Sequence, residues 1–389
     1  MRMKGLEIKK GVHWVGAIDW DLRSFHGYLT QRGSTYNAYL IVDEKIALVD
    51  TVKHYLFDEM LERIKEIVDP AKIDYIISNH TEMDHSGGLP KIMEIAKNAT
   101  LVCSPNGQKG LKRHFKKDWN FKVANTGDSI NTGKRNLKFV CVPMVHWPDS
   151  MVTYVPEEKL LLSNDAFGQH IASDERFIDE LEWDIVKQEA AKYYANIVLP
   201  YGQQVQKALE AVGSLDIDMI APSHGLIWRK RLSDITGLYK KWSTNTCDKK
   251  AVIAYDTMWH STEKMAHVIK DAFEERGIER VFKNFQEGHI SDIMTDILEA
   301  RYICVGSPTL NNGIMPTVAA FLTYMKGLAP KNRVGIAFGS YGWGGQSVGE
   351  IEKIFEVCKF EQPLKGLKIQ YVPDESELEG LKQKVKEVL

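Results

Sequence analysis

The chain lacks most of the features that would take it out of the ordinary range of globular enzymes. No apolar run approaches the roughly 18 residues that cross a bilayer. The opening Met1-Arg2-Met3-Lys4-Gly5-Leu6-Glu7 has no apolar core of the signal-peptide kind. A cytoplasmic protein without a membrane partner is the resulting expectation. Net charge is only −2 over 389 residues, so nothing electrostatic favours nucleic acid or an anionic lipid surface. Five cysteines (Cys103, Cys141, Cys247, Cys304, Cys358) are dispersed, and no two form a CxxC pair. That argues against a disulfide framework, a zinc ribbon and a rubredoxin-like iron site. Cys141 and Cys304 lie in strand-like apolar runs and are expected to be buried packing residues. Internal repeats, low-complexity stretches and a GxGxxG motif are also missing.

What is present falls into two textures, expected to be domains 1–245 and 250–389. The first begins with strand-like runs at Val12 to Ile18, Tyr36 to Val42 and Ile46 to Asp50. Apolar spacing predicts helices over Leu56 to Val68 and Ser86 to Lys97, and a largely helical Glu180 to Pro200. Further strands are expected near Asp74 to Ser78, Ala99 to Cys103, Asn136 to Pro143, Met151 to Val155 and Lys159 to Ser163. This mixture suggests an α+β or αββα sandwich. The polar run Ser243-Thr244-Asn245-Thr246 has no apolar period and reads as a linker. After it, strands at Ala251 to Tyr255, Arg280 to Asn284, Tyr302 to Gly306, Val334 to Phe338 and Lys368 to Val372 alternate with helices. Five such βα units predict a doubly wound parallel sheet, of the α/β class.

The densest chemistry is Asn79-His80-Thr81-Glu82-Met83-Asp84-His85-Ser86-Gly87-Gly88. Two imidazoles and two carboxylates within six positions repel one another and resist burial unless a cation lies among them. Downstream, His146, Asp165 and His224 each follow a strand-like run. A lone histidine at a strand end is usually a surface or core residue, and Asn164-Asp165 alone could be a turn. Beside the His80 cluster, however, the set offers four imidazoles and three carboxylates, which suits two metals sharing one carboxylate. Glu82 is informative about which metal. A hard carboxylate in place of an imidazole favours iron or manganese over zinc.

His80-x-Glu82-x-Asp84-His85, then His146, Asp165 and His224, resembles the metallo-β-lactamase superfamily, which normally has histidine where Glu82 stands. The Glu variant followed by a flavodoxin-like domain is similar to the flavodiiron proteins (A-type flavoproteins), over nearly the whole chain. The resemblance implies that His80, Glu82 and His146 hold one iron, that Asp84, His85 and His224 hold the other, and that Asp165 bridges them with an oxo or hydroxo group. It implies reduction of O2 to water, of NO to N2O, or both, in a head-to-tail homodimer or a dimer of dimers. The electron donor is then external, a separate rubredoxin or reduced coenzyme F420. His26 and Tyr194 resemble family residues that line the diatomic pocket and could donate protons or hydrogen bonds; His170 is a further candidate. Each could equally be a packed polar residue.

The second texture supplies a flavin site. Thr257-Met258-Trp259-His260-Ser261-Thr262 precedes a helix from Glu263. Hydroxyls and amides at a strand-to-helix turn suit a phosphate, although this loop lacks the glycine of the flavodoxin loop it resembles. Ser307-Pro308-Thr309-Leu310-Asn311-Asn312-Gly313 and Ser340-Tyr341-Gly342-Trp343-Gly344-Gly345 follow the third and fourth strands, where doubly wound sheets bind ligands. With no segment left to hold an adenylate, FMN is expected rather than FAD. Two competing readings are a dizinc hydrolase carrying a flavodoxin domain, and a non-catalytic electron carrier or diatomic sensor.

Overall fold

The structure is a computed structural model that describes residues 4–389. Its packing divides into two compact units. The first contains the chain up to Phe25, Thr30–Tyr193 and Gln203–Lys240; the second contains His26–Leu29, Tyr194–Gly202 and Lys241–Leu389.

The first unit is built on two sheets. One has seven strands in chain order: β1 (Leu6–Lys9), β2 (Val12–Trp14), β3 (Tyr39–Ile41), β4 (Ile46–Val49), β5 (Ile73–Ser78), β6 (Thr100–Cys103) and β7 (Phe121–Val123). Pairing is antiparallel from β1 to β4 and parallel from β4 to β7. The other has five: β8 (Ser129–Asn131), β9 (Asn136–Cys141), β10 (Met151–Val155), β11 (Leu160–Asn164) and β12 (Met219–Pro222). Alternation explains the layering. Tyr39, Ile41, Val49, Ile77 and Val102 face Leu137, Phe139, Met151, Leu160 and Leu162 in the core between the sheets. Their neighbours Leu40, Leu48, Ile76 and Leu101 point the other way, into a second core. Four helices follow the strands there: α1 (Phe57–Lys65), α2 (Met83–Ser86), α3 (Leu89–Ile95) and α4 (Pro105–Phe115). α1 brings Phe57, Met60 and Ile64 to that core, at helical spacing. Beyond α5 (Trp183–Tyr193), α6 (Gly202–Val212) lies over the outer face of the second sheet. The layers are those of the expected αββα sandwich.

The second unit is a parallel sheet of β13 (Asp248–Tyr255), β14 (Glu279–Asn284), β15 (Ala300–Gly306), β16 (Val334–Tyr341) and β17 (Leu367–Gln370), in the order β14-β13-β15-β16-β17. The order reverses direction at β13, as in other doubly wound sheets. After α7 (Leu232–Ser243), which precedes it, its helices are α8 (Ser261–Glu275), α9 (Ile290–Ile297), α10 (Pro316–Leu328), α11 (Gln346–Val357) and α12 (Glu375–Lys386).

Several expectations need correction. Val12 to Ile18 is not one strand: the chain leaves β2 and re-pairs at Ala17–Asp19 with Ser34–Tyr36. Gly16 makes that bend, since a Cβ there would sit 2.3 Å from the Tyr36 carbonyl oxygen. The helix expected from Ser86 starts earlier, at Met83, and breaks at Gly87-Gly88 before α3. Two candidate ligands, Asp84 and His85, therefore sit on a helical turn rather than in a loop. Glu180 to Pro200 is α-helical only to Tyr193, then π-helical over Tyr194–Val198. The polar run taken as a linker is no solvated tether. Ser243 ends α7, and Asn245 is buried, with its Oδ1 accepting from the Lys331 amide at 2.9 Å. Cys304 is buried as expected, whereas Cys141 is only half-buried.

Candidate metal centre and cofactor cavity

Five chain segments deliver the seven candidate ligands to one end of the sandwich of the first unit. His80 and Glu82 follow β5, and Asp84 and His85 occupy α2. His146 lies between β9 and β10, and Asp165 and His224 directly follow β11 and β12. All seven are buried. Their donor atoms form two groups, His80, Glu82, His146 and Asp165 in one and Asp84, His85 and His224 in the other. In the first, Glu82 Oε2 lies 3.2 Å from His80 Nε2 and 3.3 Å from His146 Nε2. In the second, Asp84 Oδ2 lies 3.4 Å from His85 Nε2 and 3.2 Å from His224 Nε2. Asp165 serves both. Its Oδ2 is 3.2 Å from His146 Nε2, while its Oδ1 is 3.0 Å from His85 Nε2 and 3.4 Å from His224 Nε2. Metal–donor bonds of about 2.1 Å give polyhedron edges of about 3.0–3.4 Å, so these spacings fit ligands around two ions.

Electrostatics point the same way. Burial alone would strip the proton from His80. The bonded Asp149 and Glu82 carboxylates and nearby Asp165 override it and hold its pKa well above the ordinary imidazole value. His85 faces the same contest between burial and the charges of Asp84 and Asp165, and ends near 9. Burial pushes the Asp165 carboxyl up, but the imidazoles of His85, His146 and His80 bring it well below the usual range. Both oxygens of Asp84 and of Asp165, and Nε2 of His85, are buried without a well-aligned hydrogen-bond partner among the described residues. Buried carboxylates that keep their charge, ringed by imidazole nitrogens with no other task, fit a divalent pair.

Neighbours fix the rings. His80 Nδ1–H donates to Asp149 Oδ2 at 3.0 Å, and that oxygen also accepts from the Thr81 amide at 2.7 Å. His224 Nδ1–H donates to the Thr35 carbonyl at 2.8 Å. Each bond selects the tautomer that leaves Nε2 free for a metal. Trp147 sets its edge against the His80 ring at 5.1 Å. Lys53, half-buried, lies 4.9 Å from the ring centres of both Phe25 and Tyr36. Burial lowers its pKa, against the opposing pull of Asp84, Asp19 and Glu82.

In the second unit, a cavity of about 610 Å³ opens at the carboxyl ends of β13, β15, β16 and β17. Of the expected cofactor residues, Met258, Trp259, Ser261, Pro308, Thr309, Asn311, Asn312, Ser340, Tyr341, Gly342, Trp343 and Gly344 line it. Thr257 and His260 line an adjoining depression instead, and Gly345 lines another. Thr262, Ser307, Leu310 and Gly313 are in the walls of none of these. Thr262 and Ser307 brace the loops: Thr262 Oγ1 lies 2.9 Å from Ser340 Oγ, and Ser307 Oγ accepts from the Met315 amide at 3.0 Å. The glycine missing from the first loop is replaced by His260, which takes the left-handed conformation at φ 63°. Thr257 Oγ1 is buried with no partner among the described residues, close to the start of α8. A buried hydroxyl beside a helix N-terminus fits a phosphate. Trp259 and Trp343 are 85% and 89% exposed at the rim, broad apolar surface of the kind a flavin ring covers.

The comparisons with known proteins bear on both sites. Residues 35–225 match the ODP family beta lactamase, and residues 253–384 match flavodoxin. The chain is 47% identical to a nitric oxide reductase of Moorella thermoacetica over 96% of its own length and 95% of that protein's. The solved rubredoxin oxygen:oxidoreductase of Desulfovibrio gigas superposes with a TM-score of 0.96 at 42% identity, covering 98% of this chain and 97% of that one. The flavodiiron protein of Giardia intestinalis superposes equally well, at 0.96, with 35% identity over 99% and 95% of the two chains. The chain belongs to the flavodiiron proteins.

The remaining candidates divide between the units. His170 belongs to the first. Its Nδ1 lies 2.6 Å from Ser34 Oγ, and its ring centre is 4.5 Å from that of the candidate ligand His224. His26 and Tyr194 fall in the second unit. His26 is exposed with φ 51°, and Tyr194 is buried in the π-helical turn. Burial raises the Tyr194 hydroxyl well above its usual pKa. Sequence reasoning missed Asp149, Thr35 and Lys53 around the candidate metal ligands, and Tyr371 and Val372 in the cofactor cavity. Asp149 stands three positions after His146, and Tyr371 directly follows β17 as the cofactor loops follow their strands, so position offered a signal for both. Thr35 acts through its carbonyl, which leaves no trace in residue type.

Proposed function

We propose that this flavodiiron chain reduces O2 to water, NO to N2O, or both, at a diiron site supplied with electrons through FMN. The division of Asp165 between two ligand trios carries this reading, because a carboxylate splayed between two donor sets is made to bridge. His80, Glu82 and His146 would hold one iron, and Asp84, His85 and His224 the other. When bound, the irons and the flavin supply the electrons and the open positions for a diatomic ligand. The chain contributes placement and charge. Asp149 and the Thr35 carbonyl orient two imidazoles, and Glu82 biases the site toward iron by its hard oxygen. Lys53 brings a cation near Asp84 and Glu82. The loops around Thr257, Ser307 and Ser340 would hold the FMN, and Tyr341, Trp343 and Tyr371 in the cavity wall would offer it aromatic surface.

Family resemblance supports three finer points. His26 serves as a proton or hydrogen-bond donor, with His170 as a further candidate, whereas Tyr194 packs against Trp242 with ring centres 5.2 Å apart. The working species is a head-to-tail homodimer that brings the flavin of one subunit to the irons of the next. The donor is a rubredoxin or reduced F420, and the name of the D. gigas relative favours the first. The test is anaerobic turnover of the reduced protein with O2 and with NO in parallel, after iron, zinc and FMN have been quantified. Reduction of either gas at two irons and one FMN per chain is expected. Stoichiometric zinc with esterase activity would overturn the reading in favour of a hydrolase. NO binding without turnover would leave a sensor.

A further inference from the structure

One buried carboxylate of the second unit has no part in either site described above. Asp256 directly follows β13, is 1% exposed, and has no ion-pair partner among the described residues. A buried charge without a cation is costly unless hydrogen bonds replace the water it lost. Three donors from three parts of the unit do so. Oδ1 accepts from the Thr257 amide at 2.7 Å and from Gln286 Nε2 at 2.6 Å, and Oδ2 accepts from the Thr317 hydroxyl. Gln286 belongs to the loop after β14, and Thr317 to the first turn of α10. A carboxylate is acceptor-only, so each donor meets a lone pair. An asparagine would turn its own N–H2 group toward one of them.

The consequence falls on Thr257. Asp256 holds its amide, and its carbonyl accepts from Gln286 Nε2 at 3.1 Å. Both backbone groups are thus occupied. The hydroxyl is left buried beside the start of α8, with no partner among the described residues. Thr257 as a whole is only 8% exposed, and a buried hydroxyl normally has a partner. A phosphate oxygen brought to the helix N-terminus supplies one. We propose that Asp256 is a positioning residue for the phosphate of FMN: by pinning the Thr257 backbone it aims the Thr257 hydroxyl at the phosphate, and so sets a preference for the phosphorylated flavin. As a like charge, Asp256 would repel the phosphate on contact; it acts through Thr257. The inference rests on the reading above that this cavity takes FMN.

Fluorescence titration of the full-length apoprotein with FMN and, separately, with riboflavin tests it, because the two flavins differ only by the phosphate. Asp256→Ala should weaken FMN binding about tenfold or more, the equivalent of one hydrogen bond to a charged group, and leave riboflavin affinity unchanged. Unchanged riboflavin binding also shows that the ring cavity is still folded. Asp256→Asn, which keeps one acceptor oxygen, should recover part of the lost FMN affinity. Thr257→Val removes the hydroxyl itself and should reproduce the selective loss, even if Asp256→Ala fails to fold. Both substitutions remove the same contact, so the double variant should be little weaker than the worse single one. Equal loss of both flavins in Asp256→Ala, undiminished FMN affinity in Thr257→Val, or additive losses in the double variant would overturn the proposal. Equal affinity of the wild type for both flavins would overturn it together with the FMN reading. No titration here needs turnover. A chain that behaves as expected and reduces neither gas would refute the reductase reading alone.

Discussion

Replacing Asp149 by alanine removes one oxygen that holds two groups in place. Asp149 Oδ2 accepts from the His80 imidazole at 3.0 Å and from the Thr81 amide at 2.7 Å, and both partners are buried. The stranded Thr81 N–H costs about 1–3 kcal/mol of stability. The effect on metal is separate. His80 loses the bond that fixes its tautomer and ring angle, and loss of such an outer partner typically costs about 10–100-fold in metal affinity, or about 1.4–2.7 kcal/mol. The loss should be local. His224, in the other ligand group, is oriented by the Thr35 carbonyl, which the substitution leaves alone. Competition with a chelator, followed by metal analysis, should show one ion leaving at about 10–100-fold weaker competition while the second stays. Asp149→Asn keeps an oxygen that can accept both bonds and removes only the charge, so it should fall between wild type and Asp149→Ala. If both ions left Asp149→Ala together, or neither left more easily, separate positioning of the two ligand groups would be refuted.

Glu82→His replaces the hard oxygen that lies between His80 and His146. Iron retention relative to zinc should fall by at least the roughly tenfold that losing an outer partner costs; full iron and full reductase activity in the variant would sink the argument from donor hardness. Trp343→Ala strips an exposed ring from the rim of the cofactor cavity. An aromatic contact worth about 0.5–1.5 kcal/mol predicts FMN affinity roughly two- to tenfold weaker, measured by fluorescence titration of the apoprotein. Glu275 is bonded by Lys386 and Lys382, which lower its pKa from 4.5 to about 2. Because the folded pKa is depressed, the tie between α8 and α12 is complete above the unfolded value and fades as pH falls toward 2. An NMR titration should locate this midpoint, and Glu275→Gln should abolish the dependence with little change in melting temperature, as expected for an exposed pair.

Much of this was legible before the fold. Strand-end clusters such as the His80 run and the Ser340 loop betray themselves because the chemistry demands particular residue types at particular spacings. Which face Leu40 and Leu48, or Tyr39 and Val49, would take was not legible, because these runs are apolar throughout. What escaped was whatever depends on backbone conformation or on distant partners. Gly16 bends the chain because Tyr36 crowds it, and nothing local announces that contact. His260 takes a conformation normally left to glycine, so the loop looked incomplete. Thr35 works through its carbonyl, and Lys53 through rings brought together by folding.

The second unit does not begin at β13. Residues 26–29 and 194–202 are stitched into it: the Leu29 amide donates to Ser291 Oγ at 3.2 Å, and Asn196 receives the Tyr324 hydroxyl at 2.8 Å while donating to the Ser291 carbonyl at 3.2 Å. A fragment cut at residue 250 would strip α9 and α10 of these partners. Expressed by itself, the flavodoxin-like half should be prone to aggregation, and chimeras between relatives should behave best when these two short segments travel with the C-terminal half. The boundary at which a C-terminal half can be exchanged is therefore set by three chain segments rather than by one cut.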